Sequence, residues 1–335
     1  MIIFRTLQRM QSMASNLATL RVTGPDGKGI VASCSNLLDR HGYGIFSTEH
    51  WTERCEDRLF LRIVFDKESS NDGKDVAAVI GDDDEEQRQE QVNNNMIKNQ
   101  ELETPSSATM AEQELAAFCR DRNLQFELNW RNKKPKIAIM ASKSPHCVWE
   151  LMLRHQAREI DCDIVAILSN HDELQPVAET FDIPYHVFPI TTENKPDQEV
   201  RQLTLLRDEW NVDLVVLARY MQVLSSDFLD AFPDRTSIIN IHHSFLPAFS
   251  GSRPYHAAHA RGVKLIGATA HYVTPILDDG PIIEQDVISV THRDGINGLI
   301  RKGRILERNV LVRAIQAHLD DRVILYKNKC VVFGD

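Results

Sequence analysis

The chain has 335 residues, more than one hydrophobic core usually organises, which predicts two domains. Its apolar content of 42% and aromatic content of 7% are ordinary for a globular protein. No apolar run approaches the roughly 20 residues that cross a bilayer, which argues against an integral membrane protein. Six scattered cysteines without a C-x-x-C pair predict a reducing compartment, and neither a disulfide framework nor a structural zinc site.

The net charge of −10 is concentrated in one segment. Residues 81–110 hold eight acids and two bases, a balance of −6, among asparagines, glutamines and serines that offer little to bury. We interpret the stretch at about 68–108 as a disordered surface insertion, with an acidic interaction tag as the alternative. Because the rest of the chain is nearly neutral, no nucleic-acid groove is expected.

Residues 1–16 form an N-terminal extension. Residues 1–25 carry three arginines and no acid, and their apolar side chains can share one helix face, which is the character of an organellar transit peptide. The sequence therefore predicts a mitochondrial protein, with an untargeted N-terminus and a cytoplasmic protein as the alternative.

Residues 17–131 have the element order of a ferredoxin-like βαββαβ domain. Strands are predicted at 17–22, 46–51, 59–65 and 124–130, and helices at 30–41 and 110–122. The turn Gly24-Pro-Asp-Gly-Lys-Gly29 resembles the opening of ACT domains, which bind amino acids. This resemblance implies an effector site at Asp26, Gly29 and Ile30 and a homo-oligomer. Alternatively, the glycines only make the turn.

After a linker at 131–135, residues 135–335 alternate apolar strands with helices. Strands are predicted at 137–141, 164–168, 185–188, 214–218, 264–273 and near 323–332, and helices at 146–154, 174–181, 198–210 and 300–319. Such alternation is typical of right-handed βαβ units in a doubly wound, mostly parallel sheet.

A catalytic site is predicted where the apolar run from Ile238 ends in polar residues. Pro247 follows them and cannot continue a strand. Ligands of open parallel sheets bind beyond the carboxyl ends of the strands. Asn240 and His242 are two residues apart, so both side chains lie on one face of the strand. They could donate hydrogen bonds to a developing oxyanion while Asp278, in a later turn, orients or deprotonates a water. The pattern indicates hydrolysis or transfer of an acyl group.

The segments Asn240-Ile-His-His-Ser-Phe-Leu-Pro247 and Asp278-Asp-Gly-Pro-Ile282 resemble the folate-dependent formyltransferase superfamily and, within it, the formyltetrahydrofolate deformylases. The resemblance implies a formyltransferase-like catalytic domain that hydrolyses 10-formyltetrahydrofolate without a cofactor or metal, balancing one-carbon folate pools in connection with purine biosynthesis. It implies catalytic roles for Asn240, His242 and Asp278. It also implies that a folate-binding loop is formed by Met221, Gln222, Val223 and Leu224.

Formyl transfer to an amine is the alternative reaction. A phosphorylated acceptor needs a phosphate-binding loop, commonly rich in glycine, but the corresponding loop at 141–147 has none. A charged tRNA would require a basic carboxyl-terminal domain, whereas this chain ends soon after the last predicted helix. Water is therefore the expected acceptor.

Two further classes of protein stay open. A metal hydrolase could draw ligands from His242, His243, His256, His259, His271 and Asp278. His256-x-x-His259 lacks the His-Glu-x-x-His pattern, however, and we expect His243 to be a buried structural histidine and Asp279 a turn residue. A catalytically silent amino-acid sensor would leave the combination of Asn240, His242 and Asp278 unexplained.

Overall fold

The computed structural model describes residues 17–67, 109–232, 234, 236–248 and 253–334. They form two compact units, which divide between Leu128 and Asn129, inside the last strand of the smaller unit's sheet. The extension at 1–16 and the acidic stretch at about 68–108 lie outside the described residues, together with the predictions of import and disorder made for them. No helix within the described ranges is long and apolar enough to cross a membrane.

The smaller unit contains a four-stranded sheet and two helices. Its elements are β1 (Leu17–Pro25), α1 (Ile30–Arg40), β2 (Tyr43–Glu53), β3 (Arg58–Lys67), α2 (Met110–Asp121) and β4 (Gln125–Trp130). The sheet has the order β2-β3-β1-β4, and β3 pairs antiparallel with β1 and with β2. The predicted ferredoxin-like order of elements is confirmed.

Local sequence explains where the two helices of this unit begin. Gly29 precedes α1 in a left-handed conformation with φ of 81°, which glycine adopts without steric cost. Thr109 caps α2 through a reciprocal pair of hydrogen bonds with Glu112, which satisfies two amide groups that the helix leaves without partners.

The larger unit contains nine strands and six α-helices among its described residues. They are β5 (Lys136–Ala141), α3 (His146–Gln156), β6 (Asp163–Ser169), α4 (Gln175–Thr180), β7 (Tyr185–Val187), α5 (Lys195–Leu203), β8 (Leu214–Leu217), α6 (Ser226–Asp230), β9 (Ile238–His242), α7 (Pro254–Arg261), β10 (Leu265–Tyr272), β11 (Ile282–Ser289), α8 (Ile296–Leu319), β12 (Val323–Tyr326) and β13 (Lys329–Val332).

The central sheet has the order β11-β10-β9-β8-β5-β6-β7. Strands β7, β6, β5, β8 and β9 are mutually parallel, which confirms the predicted mostly parallel sheet. Strand β10 runs antiparallel to both β9 and β11. The connection from β10 to β11 spans only residues 273–281, too few for the crossover helix that parallel pairing requires.

Two predicted elements differ from the observed ones. Residues 204–209 continue α5 as a π-helix, where the sequence predicted an uninterrupted α-helix to 210. The single final strand predicted near 323–332 is wrong, because Lys327, with φ of 56°, turns the chain into the hairpin of β12 and β13. A left-handed residue reverses the chain locally, and the apolar pattern does not reveal it.

The core follows from strands that are apolar on both faces. Alternate residues of β8 enter opposite clusters, Val216 on one face of the sheet and Val215 and Leu217 on the other. Helix α8 covers the first face. Because both faces are buried, polar side chains become accessible mainly beyond the strand ends, which is where the candidate site lies.

Candidate active site

A cavity of about 260 Å³ lies beyond the carboxyl end of β9, of the order that small-molecule sites occupy. Asn240 and His242 both line it, as expected from their two-residue spacing. The neighbouring strands bring Leu217 opposite Asn240 on the β8 side and His271 opposite Asn240 on the β10 side. The strand end is thus the meeting point of three chain segments.

His242 and Asp278 form a close pair in this cavity. His242 Nδ1 lies 3.2 Å from Asp278 Oδ1, and only 6% and 11% of the two side chains are exposed. The turn that carries Asp278 is fixed by Gly280, where an added Cβ would overlap the Tyr272 carbonyl oxygen. The sequence predicted all three of the candidate catalytic residues for one site, and the structure brings Asn240, His242 and Asp278 to the same cavity.

The amide of Asn240 is oriented by His271. Asn240 Nδ2 lies 3.2 Å from His271 Nε2, and His271 Nδ1 lies 2.9 Å from the Tyr272 carbonyl oxygen. A carbonyl only accepts, so Nδ1 carries the ring hydrogen and Nε2 accepts from the asparagine amide. Burial lowers the pKa of His271, although the hydrogen bond with Tyr272 and the charge of Asp278 oppose it. The ring is therefore suited to a neutral acceptor role.

Sequence reasoning missed this role of His271 and named it only as a candidate metal ligand. A histidine inside an apolar strand was the available signal. Its partner could not be identified, because the pairing of Asn240 with His271 depends on the register of an antiparallel pair.

The predicted folate-binding loop also lines the cavity. Met221, Gln222, Val223 and Leu224 all contribute to its wall, and Met221 and Val223 are 51% and 56% exposed. On the other side of the opening, Ile276 and Leu277 are 66% and 64% exposed. Exposed apolar side chains on two loops around one opening suit a flat, largely apolar ligand.

Three side chains of α5 hydrogen-bond to the predicted folate-binding loop and the residues that flank it. The Lys195 ammonium donates to the Val223 carbonyl, Glu199 accepts from the Ser225 amide at 3.2 Å, and Gln202 donates to the Tyr220 hydroxyl at 3.3 Å. From another direction the Met221 amide donates to Ser142 Oγ at 3.0 Å. Both Glu199 and Gln202 are buried, so these polar contacts replace water.

A second polar network lies at the same end of the sheet, around Glu307 of α8. This carboxylate, 1% exposed, accepts from the Tyr255 hydroxyl at 2.5 Å and pairs with His146 Nε2 at 2.8 Å and Arg219 Nε at 3.4 Å. Burial raises the pKa of Glu307, but the His146 hydrogen bond and the Arg219 charge outweigh it and lower the pKa to about 2. The carboxylate is therefore ionised at neutral pH.

Comparison with known proteins identifies the family. Residues 135–315 match the Formyl transferase family. The formyltetrahydrofolate deformylase of Synechocystis sp. is 42% identical over 322 residues, which cover 96% of this chain and 100% of the relative. That of Bacillus subtilis is 40% identical and covers 94% and 93% of the two chains. This chain belongs to the formyltetrahydrofolate deformylase family.

Solved structures agree with this assignment. A deformylase from Pseudomonas syringae pv. tomato superposes with a TM-score of 0.79 at 34% identity, covering 99% of this chain and 100% of that one. A glycinamide ribonucleotide transformylase from Symbiobacterium toebii superposes with a TM-score of 0.56 at 26% identity, covering 60% of this chain and 95% of that one. The deformylases therefore match along nearly the whole chain, and the transformylase over part of it.

The histidine cluster considered as a metal centre is not assembled in this deformylase-family chain. His256 and His259 are exposed on α7. Among the described residues, the group close enough to share one ion is instead His146, Cys147 and Glu307. Burial raises the pKa of the Cys147 thiol well above its ordinary value, and Glu307 is already paired with Arg219. His146 and Glu307 belong to the hydrogen-bonded network described above, and Cys147 is a buried thiol beside them.

His243 and Asp279 lie where the sequence predicted them. His243 is buried, with its ring centroid 5.1 Å from that of His242 and 5.9 Å from that of Tyr255. Asp279 is an exposed turn residue whose carbonyl accepts from Asn328 at 2.9 Å.

The three predicted effector residues adjoin one another at the start of α1. Asp26 is exposed, its carboxylate accepts from the Gly27 amide, and its own amide donates to the Asp57 carbonyl, each at 2.8 Å. Ile30 is buried, so an effector bound at this turn would meet its backbone rather than its side chain. An amino-acid site here stays a prediction.

Proposed function

We propose that this protein hydrolyses 10-formyltetrahydrofolate to tetrahydrofolate and formate. The observation that carries the proposal is the His242–Asp278 pair beside Asn240 in a cavity walled by the folate-binding loop. The deformylase names of the relatives supply the substrate and the reaction.

The chemistry requires one water and no external reductant or oxidant. The water oxygen bonds to the formyl carbon, and Asp278 accepts a proton from that water. The carbonyl oxygen becomes an oxyanion, which Asn240 and His242 stabilise by donating hydrogen bonds. The oxyanion then re-forms the carbonyl as the carbon–nitrogen bond breaks, and N10 of the folate takes the proton that Asp278 had accepted. The formic acid left behind loses its remaining water proton to solvent and leaves as formate.

Formyl transfer to a phosphorylated amine is less well supported. Ser142, in the loop that would have to bind the phosphate, donates to Asn170 at 2.6 Å and accepts from the Met221 amide. Its hydroxyl is therefore occupied within the protein. No observation on the described residues favours this reaction over hydrolysis.

The test measures formate released from 10-formyltetrahydrofolate by the purified protein, without any amine acceptor. A hydrolase releases formate and tetrahydrofolate in equal amounts, while a transferase stays inactive until an acceptor is supplied. We propose that no metal or cofactor is needed, so a strong chelator should leave the rate unchanged. A loss of activity that zinc restores would refute this part.

Regulation and assembly are further proposals. The ACT resemblance at Asp26 and Gly29 supports a homo-oligomer whose activity responds to a small amino acid, glycine or methionine. Because hydrolysis discards an activated one-carbon unit, such control would protect the folate pool used for purine synthesis. Mitochondrial import through residues 1–16 is proposed on composition alone, with a cytoplasmic location as the alternative.

A further inference from the structure

Arg219 stands out among the residues of the catalytic cavity. It is the one arginine or lysine within the described ranges that lines this cavity. Leu217, the last residue of β8, pairs with Asn240 in the adjacent parallel strand, so Arg219 follows two residues beyond this end of the strand. Its φ is 65°, a left-handed conformation that residues other than glycine adopt rarely and mostly at turns or functional sites.

The Glu307 carboxylate lies beside one edge of the Arg219 guanidinium. Nε faces the buried Glu307 carboxylate at 3.4 Å. That carboxylate is held in turn by Tyr255 and His146, at 2.5 Å and 2.8 Å. The two terminal nitrogens of Arg219 donate no hydrogen bond to another residue in the described part of the chain. Nε therefore forms an ion pair with Glu307 without a hydrogen bond, and the two terminal nitrogens are donors that a ligand could use.

The proposed reaction creates a need for a cation here. Its product formate is an anion, formed in a cavity that already holds the Asp278 carboxylate. Two carboxylates in a poorly solvated site repel each other unless a counter-charge lies close by. A guanidinium binds a carboxylate through two parallel N–H···O bonds, a geometry that the lysine ammonium cannot provide.

We propose that Arg219 is the core of a carboxylate-binding subsite that holds formate as it forms and before it leaves. The inference rests on the proposed function, because formate is the product only when water accepts the formyl group. Glu307 is a positioning residue in this arrangement, since it pairs with the arginine, and His146 and Tyr255 in turn hold the Glu307 carboxylate.

The experiment measures formate binding in two ways, with sodium chloride at equal ionic strength as the reference. One is the rise in melting temperature of the folate-free protein with sodium formate, and the other is product inhibition of hydrolysis by formate. We expect Arg219→Gln to weaken both effects by about tenfold or more, as loss of a charge-assisted hydrogen-bond pair implies. Arg219→Lys should be intermediate, because it keeps the charge and loses the fork.

The control is Arg304→Gln, an exposed arginine on α8, which should bind formate like the wild type. Because Arg219→Gln leaves Glu307 buried without its cation, that variant can fail to fold. The double variant Arg219→Gln/Glu307→Gln removes both charges and tests the same subsite in a charge-balanced protein.

The outcomes separate this inference from the proposed function. Unchanged formate binding in a folded Arg219 variant, or no formate binding by the wild type, overturns the subsite even where hydrolysis is normal. Formate binding that depends on Arg219 in a protein without hydrolytic activity retains the subsite and overturns the proposed function.

Discussion

Asp278 lies in a left-handed backbone conformation, with φ of 58°, in the turn between β10 and β11. Its carboxylate faces a nitrogen of His242, so its orientation is fixed on the side-chain side as well. A carboxylate whose backbone and side chain are both held in place is suited to keep one water in a reactive position.

Asp278→Asn should lower the rate of hydrolysis by at least about a hundredfold, because the amide keeps the shape and cannot accept the water proton. Formate release gives the rate, and fluorescence titration with a folate gives the affinity, which should change far less. The matched control is Asp279→Asn, an exposed neighbour. If Asp279→Asn loses activity and Asp278→Asn does not, our assignment of the catalytic carboxylate to Asp278 is wrong.

Glu307 predicts a specific dependence of stability on pH. Its pKa falls from an ordinary 4.5 to about 2 in the folded protein. The stabilisation is therefore fully present above about pH 4.5 and is lost as the pH falls toward 2, and it amounts to on the order of 3 kcal/mol. Chemical denaturation across this pH range should show a shallower acid loss for Glu307→Gln than for the wild type.

The exposed Glu209 supplies the control for this measurement, since Glu209→Gln should leave the pH profile unchanged. If the free energy of unfolding falls equally with decreasing pH in the wild type and in Glu307→Gln, Glu307 has the same pKa in the folded and unfolded chains.

At the scale of elements, α5 supports the predicted folate-binding loop. Lys195, Glu199 and Gln202 are spaced four and three residues apart, which puts them on one helix face. Each reaches a different point of the segment from Tyr220 to Ser225. The π-helical continuation at 204–209 begins directly after this face, a feature that is frequent at functional sites.

Glu199→Ala should raise KM for 10-formyltetrahydrofolate by about tenfold while kcat changes little, because it frees the Ser225 amide and loosens a binding loop without touching the reacting atoms. Steady-state kinetics measure the split, and Asp208→Ala, an exposed change on the π-helical segment, is the control. A fall in kcat at unchanged KM would place Glu199 in the chemical step instead.

Features of the fold and the site could be predicted where they depend on residues close together in the sequence. The apolar runs located the strands of the central sheet, and the polar end of β9 indicated Asn240 and His242. The contact of Asn240 with His271 required a register, and the pairs of Arg219 and His146 with Glu307 join residues far apart in the chain. The π-helix was missed because its apolar spacing is compatible with an α-helix.

At the scale of the whole molecule, the smaller unit is predicted to sense an amino acid. Asp26→Ala should abolish the response of activity to the effector and leave hydrolysis without effector nearly unchanged, because the residue lies in the other compact unit from Asp278. Turnover of the wild type and variant is measured with each of the twenty amino acids at millimolar concentration, after light scattering gives the oligomeric state. An oligomeric wild type that responds to none of them refutes the sensor.

Replacing residues 70–106 with a short glycine–serine linker should change neither the melting temperature nor the rate of formate release. The reason is compositional, since the segment offers little apolar area to bury, and loop length has a weak effect on stability. Thermal melts of the full-length and shortened proteins check this. A drop of many degrees would show that the acidic residues contribute to the folded structure.

The turn that joins β10 to β11 has one exposed half and one sterically constrained half. Ile276 and Leu277 are exposed at the opening of the cavity, whereas Gly280 has no space for a side chain. Mutations at 276 and 277 can therefore accumulate without moving Asp278 or unsettling a strand. The same hairpin therefore separates two tasks, with exposed apolar side chains at the opening and the predicted catalytic carboxylate held on a constrained backbone.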